Sequence, residues 1–297
     1  MLKYIKNFLN GVAFGIVETV PGVSGGTIAI ILGFYGELIE SINHFTHDIK
    51  KYLRFLVPLL LGMVAGLVGF SRLVKYLLDY HSFPTMSFFI GLIVGIIPLI
   101  FVRAREPGKP FKPSIGQIFL IIVPLALLVT ISHLREPADT NTAEIIKNID
   151  LPFMLFILLG GIVAAAALII PGISGSFVLL LLGIYPIVNS ALSSITSLIT
   201  DISNTSIWMD IAKVLLPLGI GIVIGGLTMA RIIQRLLKDH TVVVYSIILG
   251  LLTGSVYALF RNPMVMKSGV STWIIITGIL TFCLGSVISY SIGKRKL

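Results

Sequence analysis

Long apolar runs alternate with short charged segments along the whole chain. Eight runs are apparent, at residues 8–35, 54–71, 84–102, 115–132, 151–185, 211–230, 241–260 and 272–292. A helix needs about 20 apolar residues to cross the hydrocarbon core of a bilayer. Six runs fit one crossing each, whereas 8–35 and 151–185 are too long for one crossing and are each broken at a Pro-Gly pair. The pattern predicts an all-α polytopic membrane protein.

Composition supports this fold class. Of 297 residues, 56% are hydrophobic and 12% are charged, against about 25% charged in soluble domains. An ordinary soluble enzyme and a disordered chain are thereby excluded. The net charge is +9, but the Lys and Arg residues lie between apolar runs, where they set membrane orientation. We therefore expect membrane lipids as partners and no nucleic acid.

The chain contains a duplication. Residues 21–35, PGVSGGTIAIILGFY, and residues 171–185, PGISGSFVLLLLGIY, are identical at seven of fifteen positions at an offset of 150. Further matches follow in the same order at an offset of 159. They are Pro58/Pro217, Gly62/Gly221, Gly66/Gly225, Arg72/Arg231, His81/His240, Gly91/Gly250 and Gly95/Gly254. We interpret residues 1–140 and 141–297 as two repeats.

The charges of the loops predict how the repeats are oriented. Loops 103–114 and 231–240 and the C-terminus are basic, whereas loop 133–150 is acidic and loop 186–210 has no Lys or Arg. Basic loops remain in the cytoplasm, so both ends of run 151–185 are expected outside and this run is a re-entrant hairpin. Basic flanks place both ends of run 8–35 inside. Each repeat is then one re-entrant hairpin plus three crossings. Because three is odd, the second repeat is inverted, as in secondary transporters, and both termini are cytoplasmic.

The motifs PGVSGG and PGISGS predict a binding site at the two hairpin bends. Proline ends the incoming helix, glycine permits a tight turn, and Ser24 and Ser174 are expected N-caps of the outgoing helices. Hydroxyls and free N–H groups at such a bend can bind an anion. The expected substrate-binding residues are Thr19, Ser24, Gly25, Gly26, Thr27, Ser174, Gly175 and Ser176. The alternative is a kinked helix whose small residues only permit close packing.

Three charged residues complete the predicted site. Glu18 is a carboxylate within an apolar run, and ionisable groups at such positions are costly and usually functional. Proton coupling is one interpretation, and a structural hydrogen bond to the hairpin backbone is the other. Arg72 and Arg231 are matched between the repeats and suit a phosphate group, although arginine at a helix end also snorkels without further function.

The paired motifs resemble those of the bacterial polyprenyl-phosphate transporter family called PopT, over essentially the whole chain. The resemblance implies transport of undecaprenyl phosphate from the outer to the inner leaflet of the bacterial cytoplasmic membrane. This transport recycles the lipid carrier for cell-wall synthesis. The residues alone indicate only an inverted-repeat membrane protein with anion-binding bends.

Two other functions remain open from the sequence. A small-anion transporter would use the same bends. An intramembrane serine hydrolase would use GVSG or GISG with His81 or His240 as the base, although these histidines lie at predicted helix ends and read more simply as structural. We found no sequence pattern for a metal, a nucleotide or another cofactor, and we expect none.

Overall fold

The computed structural model describes residues 2–20, 23–45, 47–105, 113–133, 145–146, 149–198, 205–261 and 271–295. All of the secondary-structure elements assigned within these described ranges are helices. The helices are α1 Leu2–Glu18, α2 Gly25–Ile31, α3 Tyr35–Asn43, α4 Ile49–Tyr80, α5 Ser82–Arg103, α6 Ile115–His133, α7 Leu151–Ile169, α8 Gly175–Leu181, α9 Tyr185–Leu198, α10 Thr205–Asp239, α11 Thr241–Phe260 and α12 Thr272–Lys294.

Six of these helices are long and apolar enough to cross a membrane within the described ranges. They are α4, α5, α7, α11, α12 and the Trp208–Asp239 part of α10. The chain is therefore a multi-pass membrane protein, as the hydropathy pattern predicts. The number agrees with the predicted six crossings, but the set differs. The six helices of the structure include α7, which the sequence assigns to a hairpin. They do not include α6, because its apolar part ends at Thr130 and is too short for a crossing.

The order of the helices follows the duplication. Helices α2 and α8 have the same length and bounds that differ by 150 residues. Each is followed by a turn at a glycine with positive φ, 71° at Gly33 and 70° at Gly183, a conformation that glycine adopts without steric penalty. The axes of α2 and α3 differ by 118° across this break. The predicted repeat boundary at residue 140 lies outside the described residues, as do Pro21 and Gly22.

The contacts divide the chain into two compact units. The first comprises Met1–Leu134, Ile170–Ile173 and Ala230–Leu297, and the second comprises Arg135–Ile169 and Ser174–Met229. This division groups helices by packing and does not follow the repeats. Inversion of the two repeats therefore stays a prediction.

Within the first unit, α1 packs directly on α4 through glycines. A Cβ atom at Gly62 would overlap the carbonyl oxygen of Phe8, and one at Gly66 would overlap that of Val12. The second unit repeats this contact between α7 and α10, where Gly221 and Gly225 lie against the carbonyls of Leu158 and Ile162. Small residues allow helix backbones to approach closely in membranes. The matched glycines are thus explained by the same packing in both units.

A second pair of glycine contacts lies within the first unit. Gly91 and Gly95 of α5 lie against the backbone of α12 at Phe282 and Ser286. Gly250 and Gly254 of α11, at the matched positions, lie against α6 at Ile121 and Leu125. A helix of each predicted repeat therefore packs on a helix of the other, α5 on α12 and α11 on α6.

Candidate functional site

The first motif lies where α1 ends and α2 begins. Ser24, Gly25, Gly26 and Thr27 are all buried, and Thr19 is half-buried. The Thr19 hydroxyl donates to the carbonyl oxygen of Ile16 in the last turn of α1. Polar side chains are thereby concentrated at the end of an otherwise apolar hairpin.

The Glu18 carboxylate contacts the start of α2. The backbone N–H of Gly25 donates a 2.9 Å hydrogen bond to Oε1 of Glu18. A Cβ at residue 25 would collide with the Glu18 carboxylate and the Phe14 ring, so this approach requires glycine. Within the described ranges, the ion pairs are Lys3–Glu37 and Lys51–Glu40, and Glu18 takes part in neither. Its carboxylate is therefore held by a backbone N–H instead of a charged partner.

Ser24 occupies the N-cap position of α2, as predicted, but its hydroxyl does not cap the helix. The Oγ atom is buried and has no hydrogen-bond partner among the described residues. A buried hydroxyl without a partner is costly and rare in native structures. This hydroxyl is therefore free to bind a ligand.

Thr27 brings the two copies of the motif together in the first unit. The backbone N–H of Gly172 donates a 3.1 Å hydrogen bond to Oγ1 of Thr27, and both groups are buried. Gly172 has φ +96°, and a Cβ there would lie 2.9 Å from Cβ of Leu251. The Pro171-Gly172 turn is thus fixed by a residue of the first motif.

In the second unit, Ser174 is the N-cap residue of α8, and again its hydroxyl does not cap the helix. The hydroxyl oxygens of Ser174 and Ser176 lie 2.8 Å apart in a hydrogen bond. Gly175 lies against the backbone of Ala164 and the side chain of Leu168. Leu168 is the counterpart of Glu18, so the second copy has hydroxyls but no carboxylate.

The free N–H groups that the sequence predicts at the bends contribute less to anion binding than expected, because the outgoing helices are short. Helices α2 and α8 have seven residues each, and a macrodipole accumulates over longer runs of aligned peptides. The first free N–H of α2 is also already bonded to Glu18. The chemistry of these bends therefore depends on the hydroxyl groups and the carboxylate.

The matched Arg and His residues lie on exposed positions. Arg72 on α4 and Arg231 on α10 are exposed and take part in neither of the two ion pairs found in the described segments. The structure does not bring their guanidinium groups into hydrogen bonds with the motif residues that it describes. His81 and His240 each join a long helix to the next, and their N–H groups bond to Leu77 and Leu236. These histidines have a structural place in helix junctions.

Sequence reasoning missed two polar residues of α1. Asn7 and Asn10 are buried, and Nδ2 of each lacks a partner in the described part of the chain. Asn7 precedes the apolar run that begins at residue 8, and Asn10 is uncharged, so neither is an ionisable residue within an apolar run. The spacing of Asn7, Asn10 and Glu18, which places them on one helix face, is the signal that would have found them.

The comparisons with known proteins agree with one another. The profile of a family described as undecaprenyl phosphate translocase-like matches residues 14–273 and again 188–295. A polyprenyl-phosphate transporter of Staphylococcus aureus is 32% identical over 296 residues, covering 97% of this chain and 95% of the relative. A polyprenyl-phosphate transporter of Vibrio cholerae is 30% identical over 274 residues, covering 86% and 77%. No solved structure matches the chain.

Proposed function

Because the chain belongs to the undecaprenyl phosphate translocase-like family, we propose that it moves undecaprenyl phosphate between the leaflets of the bacterial cytoplasmic membrane. Net movement is from the outer to the inner leaflet and recycles the lipid carrier for cell-wall synthesis. The names of its two relatives support a polyprenyl phosphate substrate. The protein is a transporter and not an enzyme, and it works without a cofactor.

The observation that carries this proposal is the buried hydroxyl of Ser24, which has no partner in the described residues and precedes the Gly25 N–H that binds Glu18. A phosphate oxygen accepts hydrogen bonds from hydroxyl groups, and such bonds are stronger when the acceptor is charged. Thr19, Ser24 and Thr27 with Gly25 and Gly26 form the proposed headgroup site of the first unit. Ser174, Gly175 and Ser176 are the headgroup-binding residues proposed in the second unit. The isoprenoid chain remains in the lipid.

Glu18 is proposed to couple transport to protons. Its carboxylate and the phosphate headgroup carry the same charge, and repulsion favours the protonated carboxyl when the headgroup is bound. The proton is released when the headgroup leaves. The N–H of Gly25 donates the only hydrogen bond that this carboxylate receives from the described residues. No cation among those residues therefore holds the Glu18 carboxylate in its ionised form.

Arg72 and Arg231 are proposed to attract the headgroup at the two membrane surfaces. Both are exposed, and guanidinium binds phosphate through paired donors. An inverted arrangement of repeats 1–140 and 141–297, with both termini cytoplasmic, would give each leaflet one of these arginines. The matched glycine contacts of α1–α4 and α7–α10 support the repeat, because the same packing recurs at the same offsets.

The test is leaflet exchange of a polyprenyl phosphate in liposomes that contain the purified protein. We expect exchange that depends on the protein and falls at least tenfold in Ser24→Ala. Ser289→Ala is the matched control, because Ser289 is also a buried serine whose hydroxyl has no partner in the described residues. Wild-type vesicles that exchange no faster than protein-free vesicles would contradict the proposal.

A pH series tests the role of Glu18. Glutamine keeps an oxygen that accepts from Gly25 but cannot release a proton. Glu18→Gln is therefore expected to fold normally and to lose the acceleration of exchange by a pH gradient. An unchanged gradient dependence in this variant would remove the proton role and leave the substrate assignment intact.

Competition separates the lipid transporter from a small-anion transporter. Excess inorganic phosphate in the vesicle lumen is expected to leave lipid exchange nearly unchanged if the isoprenoid chain contributes to binding. Strong inhibition, or uptake of inorganic phosphate by the vesicles, would favour the small-anion transporter. A serine hydrolase lacks support, because the described histidines form no hydrogen bond with Ser24 or Ser174.

A further inference from the structure

Helix α1 has two different buried faces. Phe8, Gly11, Val12 and Gly15 lie against α4. The other face is marked by Phe14 and Glu18, which contact Gly25 of α2. Residues three or four apart share a helix face, so this second face continues toward the N-terminus through Asn10, Asn7 and Lys3.

The polar atoms on this second face are unsatisfied donors. Asn7 is 2% exposed and Asn10 is 8% exposed, and neither Nδ2 atom has a hydrogen-bond partner in the ranges that the structure describes. An amide nitrogen only donates hydrogen bonds. The missing partner of each Nδ2 atom is therefore an acceptor, and an anionic phosphate oxygen is a strong one.

The face opens at its N-terminal end onto a charged cavity. Lys3 pairs with Glu37 at 3.0 Å, and both line a cavity of about 740 Å³ whose other charged residues are Lys51, Arg54, Glu40 and Asp48. At about 1.5 Å of rise per residue, Lys3 lies about 6 Å along the helix from Asn7, and Asn10 lies about 12 Å from Glu18. Donor groups therefore extend from the hairpin bend to the predicted cytoplasmic end of α1.

The second repeat shows that the shared packing does not require these polar residues. At an offset of 150, Lys3, Asn7, Asn10 and Glu18 correspond to Phe153, Ile157, Gly160 and Leu168. Helix α7 nevertheless makes the same glycine contacts with α10 that α1 makes with α4. Because an apolar face supports this packing in α7, the polar face of α1 has another purpose.

We propose that Asn7 and Asn10 form a subsite for the anionic headgroup of the transported lipid, on its way between the bend at Ser24 and the cavity at Lys3. This inference rests on the proposed transport function. The Phe14 ring separates the subsite from Glu18 along the face, so the headgroup occupies two successive positions. The amides replace hydration of the phosphate at the position nearer the cavity.

Two variants test the subsite, each chosen to keep the packing. Asn7→Ile introduces the residue found at the matched position in α7, and Asn10→Ala removes the second side-chain amide. Both remove buried donors without partners, so the midpoint of thermal unfolding in detergent is expected to stay unchanged or to rise. Leaflet exchange of polyprenyl phosphate is expected to fall at least tenfold in each. Ser289→Ala serves again as the control and is expected to leave the exchange rate unchanged, with a midpoint that stays unchanged or rises for the same reason.

Asn7→Asp distinguishes a headgroup subsite from a path for water and protons. A carboxylate at residue 7 supports water and proton transfer but repels a phosphate. Exchange by this variant is expected to fall at least as far as in Asn7→Ile. Exchange at the wild-type rate in Asn7→Asp would overturn the subsite. The subsite would also be overturned if Asn7→Ile and Asn10→Ala both lowered the exchange rate and the unfolding midpoint together. That result would indicate a structural role for the two amides.

Binding gives a readout that does not depend on transport. Micelles containing polyprenyl phosphate are expected to raise the unfolding midpoint of the wild-type protein more than micelles with the uncharged polyprenol. Asn7→Ile and Asn10→Ala are expected to reduce this difference by half or more. If the wild-type protein exchanges the lipid and both variants match it in binding and in exchange, the subsite alone is refuted. Wild-type protein with neither binding nor exchange would refute the proposed function together with the subsite.

Discussion

The backbone N–H of Gly172, in the second copy of the motif, donates a 3.1 Å hydrogen bond to the hydroxyl of Thr27, in the first copy. The two residues are 145 positions apart in the chain. Both are buried, so water cannot readily replace the bond if the hydroxyl is removed. A side chain of the first motif thus stabilises the turn at Pro171-Gly172, beside the backbone hydrogen bond from Ile173 to Ile170 and the contact with Leu251.

Thr27→Val is expected to destabilise the protein and to slow exchange. Valine keeps the shape of threonine but leaves the Gly172 N–H buried without an acceptor, which costs about 1–3 kcal/mol. Thr27→Ser keeps the hydroxyl and is expected to retain most of the exchange rate. The measurements are thermal unfolding in detergent and leaflet exchange in vesicles. Equal exchange by the valine and serine variants would mean that the hydrogen bond is dispensable.

Gly172→Ala is expected to be more harmful than Gly183→Ala. Both glycines have positive φ, which costs a residue with a Cβ about 1–2 kcal/mol. Only the Cβ at 172 also meets Leu251, at 2.9 Å, whereas the space around residue 183 is open. The comparison therefore isolates overpacking, which adds about 1–3 kcal/mol. Unfolding midpoints that fall equally in the two variants would argue against this contact.

The glycine contacts between helices give a prediction with internal controls. Gly62→Ala in α4 and Gly221→Ala in α10 place a methyl group against a neighbouring backbone and are expected to cost about 1–3 kcal/mol. Gly69→Ala and Gly219→Ala lie on the same two helices with open space around them. These controls are expected to be neutral or to gain up to about 1 kcal/mol of helix propensity. Unfolding curves of all four proteins decide the matter, and a neutral Gly62→Ala would refute the packing.

The polar contacts of α3 differ in strength. Nδ2 of Asn43 donates to the Ala230 carbonyl at 2.8 Å and to Oε1 of Gln234 at 2.7 Å. Asn43→Asp would put a carboxylate against two acceptors, with an expected loss of about 2–3 kcal/mol. The exposed Lys51–Glu40 pair is screened by solvent and contributes little to stability, so Lys51→Gln is the milder variant. Unfolding in low and high salt checks both, since only the exposed pair is sensitive to screening.

Much of the fold is accessible from the sequence because the duplication constrains it twice. The glycines after α2 and α8 and the glycines between long helices occur at matched positions, and the structure gives each pair the same role. The sequence was less informative about which apolar segments cross the membrane as single helices, because apolar length alone does not distinguish such a helix from part of a hairpin. Helix α7 is apolar throughout its 19 residues and passes as a crossing helix, although the loop charges predict a hairpin.

The details of the site were less accessible. Ser24 and Ser174 have the sequence context of N-caps, but their hydroxyls do not cap, because capping depends on side-chain rotation and not on position. The bond between Thr27 and Gly172 joins distant segments, which no local pattern records. Asn7 and Asn10 are uncharged, and only the packed structure reveals that both are buried with an unpartnered Nδ2 atom in the described residues.

The glycine contact between α1 and α4 also limits how these helices can move. The carbonyls of Phe8 and Val12 lie directly against Gly62 and Gly66, with no layer of side chains between the backbones. Sliding one helix along the other by a single residue would press a side chain into a peptide group. We therefore expect α1 and α4 to move together as one rigid piece, and α7 and α10 likewise. A rearrangement that preserves these two pairs can take place at breaks between helices, among them those at Gly33 and Gly183.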